Sequence, residues 1–219
     1  MGLIRQITKA AIQALLPGES FVTRGSGPGV SLTFDDGPHP EHTPRLLDAL
    51  AEARIRATFF VVGERAQCHL ELVRRIVDEG HELGNHTWSH SEPRQTSRRQ
   101  FLDEITRTDD FIQGVTNQAN SLVRPPKGEL SLGKLYGLLS MQKTVVLWNR
   151  DTKDYRMKLA ADIRAWCACY SPNAGDIVLM HDDRPFAVTA VEAFCIFTQF
   201  DHSSFRTVSE LTGKQPTLV

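Results

Sequence analysis

Residues 30–62 read VSLTFDDGPHPEHTPRLLDALAEARIRATFFVV. The stretch opens on a short apolar run, Val30 to Phe34, that ends in two carboxylates, Asp35 and Asp36. Such a run reads as a buried strand. Thr43-Pro44 then supplies an N-cap and a first-turn proline, which predicts a helix through about Ala53. Thr58 to Val62 is β-branched and aromatic, hence a second strand. Strand, helix and strand in so short a span form the unit of a parallel sheet with a crossover helix.

Working outward, the alternation continues. Glu64 to Glu79 is predicted helical, with Leu70, Val73, Ile76 and Val77 on one face and Gly80 as the stop. His81 to Asn85 is a strand. Ser97 with Gln100 forms a capping box that opens a helix through about Ile112. Strands follow at Ser121–Val123, Thr144–Trp148, Ile177–Met180 and Phe205–Val208, with helices at Leu130–Ser140, Leu159–Tyr170 and Val188–Phe200 between them. About seven strands, each followed by a helix or helical turn, give an α/β fold with a parallel sheet. From pattern alone, a closed or nearly closed barrel and an open doubly wound sheet both remain open. No linker, repeat or low-complexity tract divides residues 19–219, so one domain is expected. Ahead of it, Leu3, Ile7, Ala11 and Leu15 mark an amphipathic helix over residues 1–18, ended by Pro17-Gly18.

The bulk properties exclude several classes. A chain of 219 residues can bury a core without disulfides. Its net charge of -1 and pI near 6.7 carry no basic footprint, so no nucleic-acid partner is expected. No stretch is apolar and long enough to span a membrane. Arg5, Gln6, Lys9 and Gln13 interrupt the N-terminal segment, which therefore lacks a secretory signal's apolar centre. A cytoplasmic monomer is the resulting expectation. The first helix packs on the domain or touches a membrane surface peripherally, and packing is the commoner fate. The four cysteines, Cys68, Cys167, Cys169 and Cys195, have no disulfide or zinc-ribbon spacing and read as small apolar residues.

The residues able to do chemistry recur at strand ends. Asp35 and Asp36 follow the first strand, His86 and His90 the third, Arg124 the fourth, Asp151 and Asp154 the fifth, and His181 the sixth. In a parallel α/β fold, active sites lie at the carboxyl ends of strands. His86-Thr-Trp-Ser-His90 places two imidazoles four residues apart, and a carboxylate from Asp36 completes a set of two nitrogens and one oxygen. Three protein ligands with positions left for water match a catalytic zinc site. Alone, each pair is weak: histidines four apart and adjacent aspartates commonly face solvent. Neighbours at a strand end point to opposite sides, so Asp35 and Asp36 can take different roles.

Taken together, Thr33-Phe-Asp-Asp-Gly-Pro38, His86-Thr-Trp-Ser-His90, Arg124-Pro-Pro-Lys-Gly128, Asp151-Thr-Lys-Asp-Tyr155 and Leu179-Met-His-Asp182 resemble the five ordered motifs of the polysaccharide deacetylase family, also called the NodB-homology domain or carbohydrate esterase family four. The resemblance runs from about Ser31 to Leu211. It implies a distorted seven-stranded (β/α) barrel that hydrolyses N-acetyl groups on glucosamine-containing glycans. By the same resemblance, Asp35 is the general base, and Asp36, His86 and His90 hold a divalent ion, zinc first with cobalt or nickel as alternatives. His181 is the general acid, Asp154 orients it, and Arg124 holds Asp35. Leu179 and Tyr155 resemble the wall around the acetyl methyl. Lys127 stands where the family commonly has Tyr, and Tyr155 where Trp is frequent, so the substrate wall differs. Trp88 either stacks on a sugar or packs beneath the metal loop. Asp151 either joins the site or caps its turn. A metal amidase acting on a non-sugar amide and a catalytically silent glycan-binding relative are the competing readings; base, acid and metal ligands together argue against the silent relative, while fold alone does not separate the amidase.

Overall fold

Buried runs of alternating residues build the sheet. The computed structural model describes residues 20–197, 204–213 and 217–218. The helix expected over residues 1–18 lies outside them. Eight parallel strands are hydrogen-bonded in one curled sheet. In chain order they are β1 (Phe21–Val22), β2 (Val30–Asp35), β3 (Thr58–Val61), β4 (Glu82–Asn85), β6 (Leu122–Val123), β7 (Thr144–Val146), β8 (Arg150–Asp151) and β9 (Asp176–His181). Their spatial order is β1-β7-β6-β4-β3-β2-β9-β8, so the curl ends at β1 on one side and β8 on the other. A separate antiparallel pair joins β5 (Gln118–Ala119) to β10 (Thr217–Leu218).

Period-two alternation on β2 sorts its side chains between two environments. Leu32 and Phe34 join an apolar cluster with Leu46, Leu47 and Leu50 of helix α1 (His42–Ala53) and with Val191 and Phe194. Thr33 and Asp35 point the other way, where both meet Arg124. The remaining helices are α2 (Gly63–Cys68), α3 (Leu70–Asp78), α4 (Arg98–Thr116), α5 (Leu132–Ser140), α6 (Ala160–Cys169), α7 (Phe186–Phe197) and α8 (Val208–Thr212). The Ser97 hydroxyl accepts the Gln100 N–H at 3.2 Å, the N-cap half of the expected capping box.

Three expectations change. The helix over Glu64–Glu79 is two helices, because His69 leaves the helical region at φ -129° and ψ 54°. Among the described residues the main sheet holds eight strands, because β1 and β8 are two-residue pieces too short to leave a sequence pattern. Phe205–Val208 is not a strand: Phe205 makes a single bridge to Val30, and a helix starts at Val208. Thr207 explains the difference. Its hydroxyl accepts the Glu210 N–H at 3.3 Å, and the Glu210 carboxylate accepts the Thr207 N–H at 2.9 Å. This reciprocal cap outweighs the β-branched composition.

Helix α8 fills the inside of the curl. Val208 and Leu211 pack with Val22, Phe60, Leu122, Val146 and Ile177. Thr58 and Glu82 hold its first turn, accepting the N–H groups of Val208 (2.9 Å) and Ser209 (3.2 Å). The cysteines are free; Cys167 is buried, which raises its thiol pKa to about 12, while Cys169 on the same helix is exposed.

Candidate active site

Asp36 is turned by a left-handed backbone, φ 74°. Few residues other than glycine adopt it, and aspartate is among the more tolerant. The turn sends the Asp35 and Asp36 carboxylates in different directions from one strand end. Arg65 donates to the Asp36 carbonyl oxygen at 2.6 Å and holds the turn from outside.

The two histidines meet through a loop with two further left-handed residues, Thr87 (φ 68°) and His90 (φ 53°). Asn85 pins this loop to the protein. Its amide donates to Ile105 O at 2.8 Å and to Asp109 at 2.9 Å, and its side-chain oxygen accepts the Thr87 N–H. Thr87 in turn accepts the His90 N–H at 3.1 Å. The imidazole centroids end 5.0 Å apart.

His86 Nδ1–H donates to Arg124 O at 2.6 Å, which leaves Nε2 facing Asp36. His86 Nε2 lies 3.3 Å and His90 Nε2 3.2 Å from the same oxygen, Asp36 Oδ1. One ligand atom from each residue falls within 4.8 Å of the others. That oxygen is buried and has no hydrogen-bond partner. Burial opposes its charge, but His86 and then His90 outweigh this and hold the Asp36 pKa below the usual carboxylate range. An orphaned buried oxygen with two imidazole nitrogens facing it fits a divalent cation in donor number and donor type.

Asp35 lies beside this triad, 3% exposed. Arg124, fully buried, donates from one terminal nitrogen to Asp35 Oδ1 (2.7 Å) and Thr33 Oγ1 (2.8 Å). Its other nitrogens reach Val146 O and Leu147 O, and its guanidinium lies 4.1 Å from the Phe60 ring centre. A buried charge held this fully is costly to leave unpaired. Asp35 Oδ2 stays on the triad side, 3.8 Å from His86 Nε2.

On the opposite side, β9 ends in His181, directly across from Asp35 in the β2–β9 register. Asp154 Oδ1 accepts from His181 Nδ1 at 2.7 Å, and Oδ2 accepts the His181 backbone N–H at 2.8 Å. Burial lowers the imidazole pKa, but the Asp154 hydrogen bond and charge outweigh it and raise the value to about 9. Nε2 is the nitrogen left for a ligand.

The geometry thus gathers Asp35, Asp36, His86, His90, Arg124, Asp154 and His181 at the carboxyl ends of β2, β4, β6, β8 and β9. The model of the polysaccharide deacetylase family matches residues 23–146. The chain belongs to this family. Among relatives of this deacetylase-family chain, the peptidoglycan-N-acetylglucosamine deacetylase of Bacillus cereus is 34% identical over 167 residues, covering 74% of this chain and 60% of that protein. The chitooligosaccharide deacetylase of Sinorhizobium fredii is 38% identical over 164 residues, covering 74% and 75%. The crystal structure of the Bc1960 peptidoglycan N-acetylglucosamine deacetylase with 4-naphthalen-1-yl-N-oxidanyl-benzamide superimposes with a TM-score of 0.83 at 28% identity, covering 91% of this chain and 96% of that one. The chain thus spans about three fifths of the length of the first relative and nearly all of the solved one.

The other expected site residues divide. Leu179 is buried on the inner face with His181, and Tyr155 meets the His181 ring edge-on at 5.7 Å. Lys127 is also left-handed (φ 57°), and its ammonium pairs with Glu92 at the rim. Trp88 is only 5% exposed: Arg107 covers its ring at 3.6 Å, and Gly63 packs on its edge. Of the two readings, this burial favours packing behind the histidine loop over stacking on a sugar. Asp151 accepts the Lys153 N–H at 2.9 Å and caps its turn. No site role was read from the sequence for Asn85, Thr33 or Arg65, although Thr33 opens the first quoted motif. Asn85 and Thr33 stand next to site residues or two away, the one hint the sequence offers. Among the described residues, no helix is long and apolar enough to cross a membrane.

Proposed function

We propose that this chain removes N-acetyl groups from N-acetylglucosamine-type residues of an oligo- or polysaccharide. The observation that carries the reading is the Asp36–His86–His90 cluster, flanked by the Asp35–Arg124 pair on one side and the His181–Asp154 pair on the other. Amide hydrolysis needs a base, an oxyanion stabiliser and an acid for the leaving nitrogen. The relatives named for N-acetylglucosamine and chitooligosaccharide deacetylation support the same substrate class.

Asp36, His86 and His90 would hold the divalent ion, zinc first, with cobalt or nickel as alternatives. Such an ion, when bound, acidifies a water and polarises the acetamide carbonyl. Asp35 takes the proton of the attacking water on Oδ2, while Arg124 holds Oδ1. His181 donates the proton of Nε2 to the departing amine, with Asp154 fixing the ring through Nδ1. Leu179 and the Tyr155 ring form the apolar wall beside the acetyl methyl. At the rim, Lys127 offers an ammonium where the family commonly offers an aromatic ring.

The test is acetate release from a panel of N-acetylated sugars, run with chelator and again after zinc is restored. Release from glucosamine-type oligomers, lost with chelator and regained with zinc, is the expected result. Silence on the sugars with turnover of a simple acetamide would move the assignment to a non-sugar amidase. Silence on all substrates would leave a glycan-binding relative.

A further inference from the structure

Asp182 follows the proposed acid in sequence and is 1% exposed, yet the chemistry above gives it no task. Its contacts go to the turn that carries Asp36 and to Thr43 in the first turn of helix α1. The Asp182 N–H donates to Asp35 O at 3.2 Å, which extends the β2–β9 pairing one residue past the strand end. Its carboxylate lies flat against Gly37: a Cβ built there would fall 2.0 Å from Oδ2 and 2.1 Å from Oδ1. Oδ2 accepts the Thr43 hydroxyl at 2.7 Å, and that same hydroxyl oxygen accepts the His39 N–H at 2.7 Å. Residues 35, 37 and 39 are therefore all fastened to Asp182, directly or through Thr43. Asp36 is the residue between the first two, and its left-handed backbone needs such external fixing.

The other oxygen, Oδ1, is buried with no hydrogen-bond partner. Packing alone disfavours a half-satisfied carboxylate at such a position, since an apolar side chain would avoid the desolvation. The residue instead complements the missing side chain of Gly37, and its one carboxylate reaches both Gly37 and Thr43.

We propose that Asp182 is a positioning residue: by bracing the Asp36–Gly37 turn and receiving Thr43, it aims the Asp36 carboxylate at the His86 and His90 nitrogens. This rests on the metal-ligand reading of those three residues. The brace also ties the two halves of the reaction together, because the same residue is peptide-bonded to His181.

The test is titration of the metal-depleted full chain with Co²⁺, following affinity and the visible d–d spectrum. Asp182→Ala should weaken Co²⁺ binding about 10–100-fold and shift the spectrum, as loss of a ligand's supporting partner does elsewhere. Asp182→Asn keeps the shape and the acceptor for Thr43, and should stay within a few-fold of wild type. Thr43→Val, which removes the hydroxyl link without touching Asp182, should give an intermediate loss. A folded Asp182→Ala protein with wild-type affinity and spectrum would overturn the brace. If that variant does not fold, wild-type behaviour of Thr43→Val overturns it instead. An Asn variant as weak as the Ala one would show that charge matters and placement does not, which also overturns it. Failure of the wild-type chain to bind Co²⁺ is a different result, and removes the metal-ligand reading together with this one.

Discussion

Asp154 grips His181 at two points, with one carboxylate oxygen 2.7 Å from the ring Nδ1 and the other 2.8 Å from the backbone N–H. The ring's angle and its proton are therefore set by one side chain, itself buried. The pKa near 9 is higher than the 6.5 of a free imidazole, so the acid form persists through neutral pH. The alkaline limb of kcat/KM is expected near 9. Asp154→Asn should move it down toward 6.5 and slow turnover about 10²-fold or more. An unmoved limb in a pH–rate profile of that variant would separate Asp154 from the acid.

The same shift has a stability sign. A group whose folded pKa exceeds its unfolded value stabilises the fold fully below the unfolded pKa. For His181 that contribution is complete below 6.5 and fades as the pH rises through about 9. Denaturant unfolding at pH 6 and pH 9.5 should show the wild type losing more stability over this window than His181→Gln.

Asp35, beside the metal ligands, and His90, one of them, have opposite expected phenotypes. Asp35→Asn should keep its metal and lose about 10²–10⁴-fold in rate, because base catalysis contributes that much. His90→Ala should lose stoichiometric metal. Metal content by mass spectrometry, set beside acetate release, separates the two; metal-free Asp35→Asn or fully loaded His90→Ala would reverse the assignment.

Arg124 has a structural duty beside its hold on Asp35. Removing it strands the buried Asp35 carboxylate and frees carbonyls on β7 and just after it. Arg124→Met should therefore cost about 3–5 kcal/mol in denaturant unfolding, the range for breaking a buried pair.

Most of this was legible because buried parallel strands write continuous apolar runs. β2 and β9 could be read for that reason, and the chemical residues at their ends followed. β1 and β8 could not, since two residues carry no period. The site residues were legible as types in order, but their geometry was not. His86 and His90 converge only because Thr87 and His90 are left-handed and Asn85 pins the loop, and no spacing rule encodes that. Trp88 sits between the ligands in sequence yet faces away from the cleft, because Gly63 leaves room for the ring behind the loop. Asp182 was visible as a letter beside His181, but its link to Gly37 and Thr43 is a long-range contact.

Helix α8 bears on the order in which the molecule becomes competent. Every residue proposed for the reaction lies at or before His181, whereas the inner cluster of Phe60, Ile177 and Val146 is closed by Val208 and Leu211. A chain ending at His181 would carry every reacting group but lack the Val208 and Leu211 side chains that fill the interior. Chains stopped there would expose that interior and are candidates for aggregation before any turnover. Closing the fold thus falls to two segments after His181, α7 against Leu32 and Phe34 and α8 against Phe60 and Ile177, neither of which contributes a reacting group.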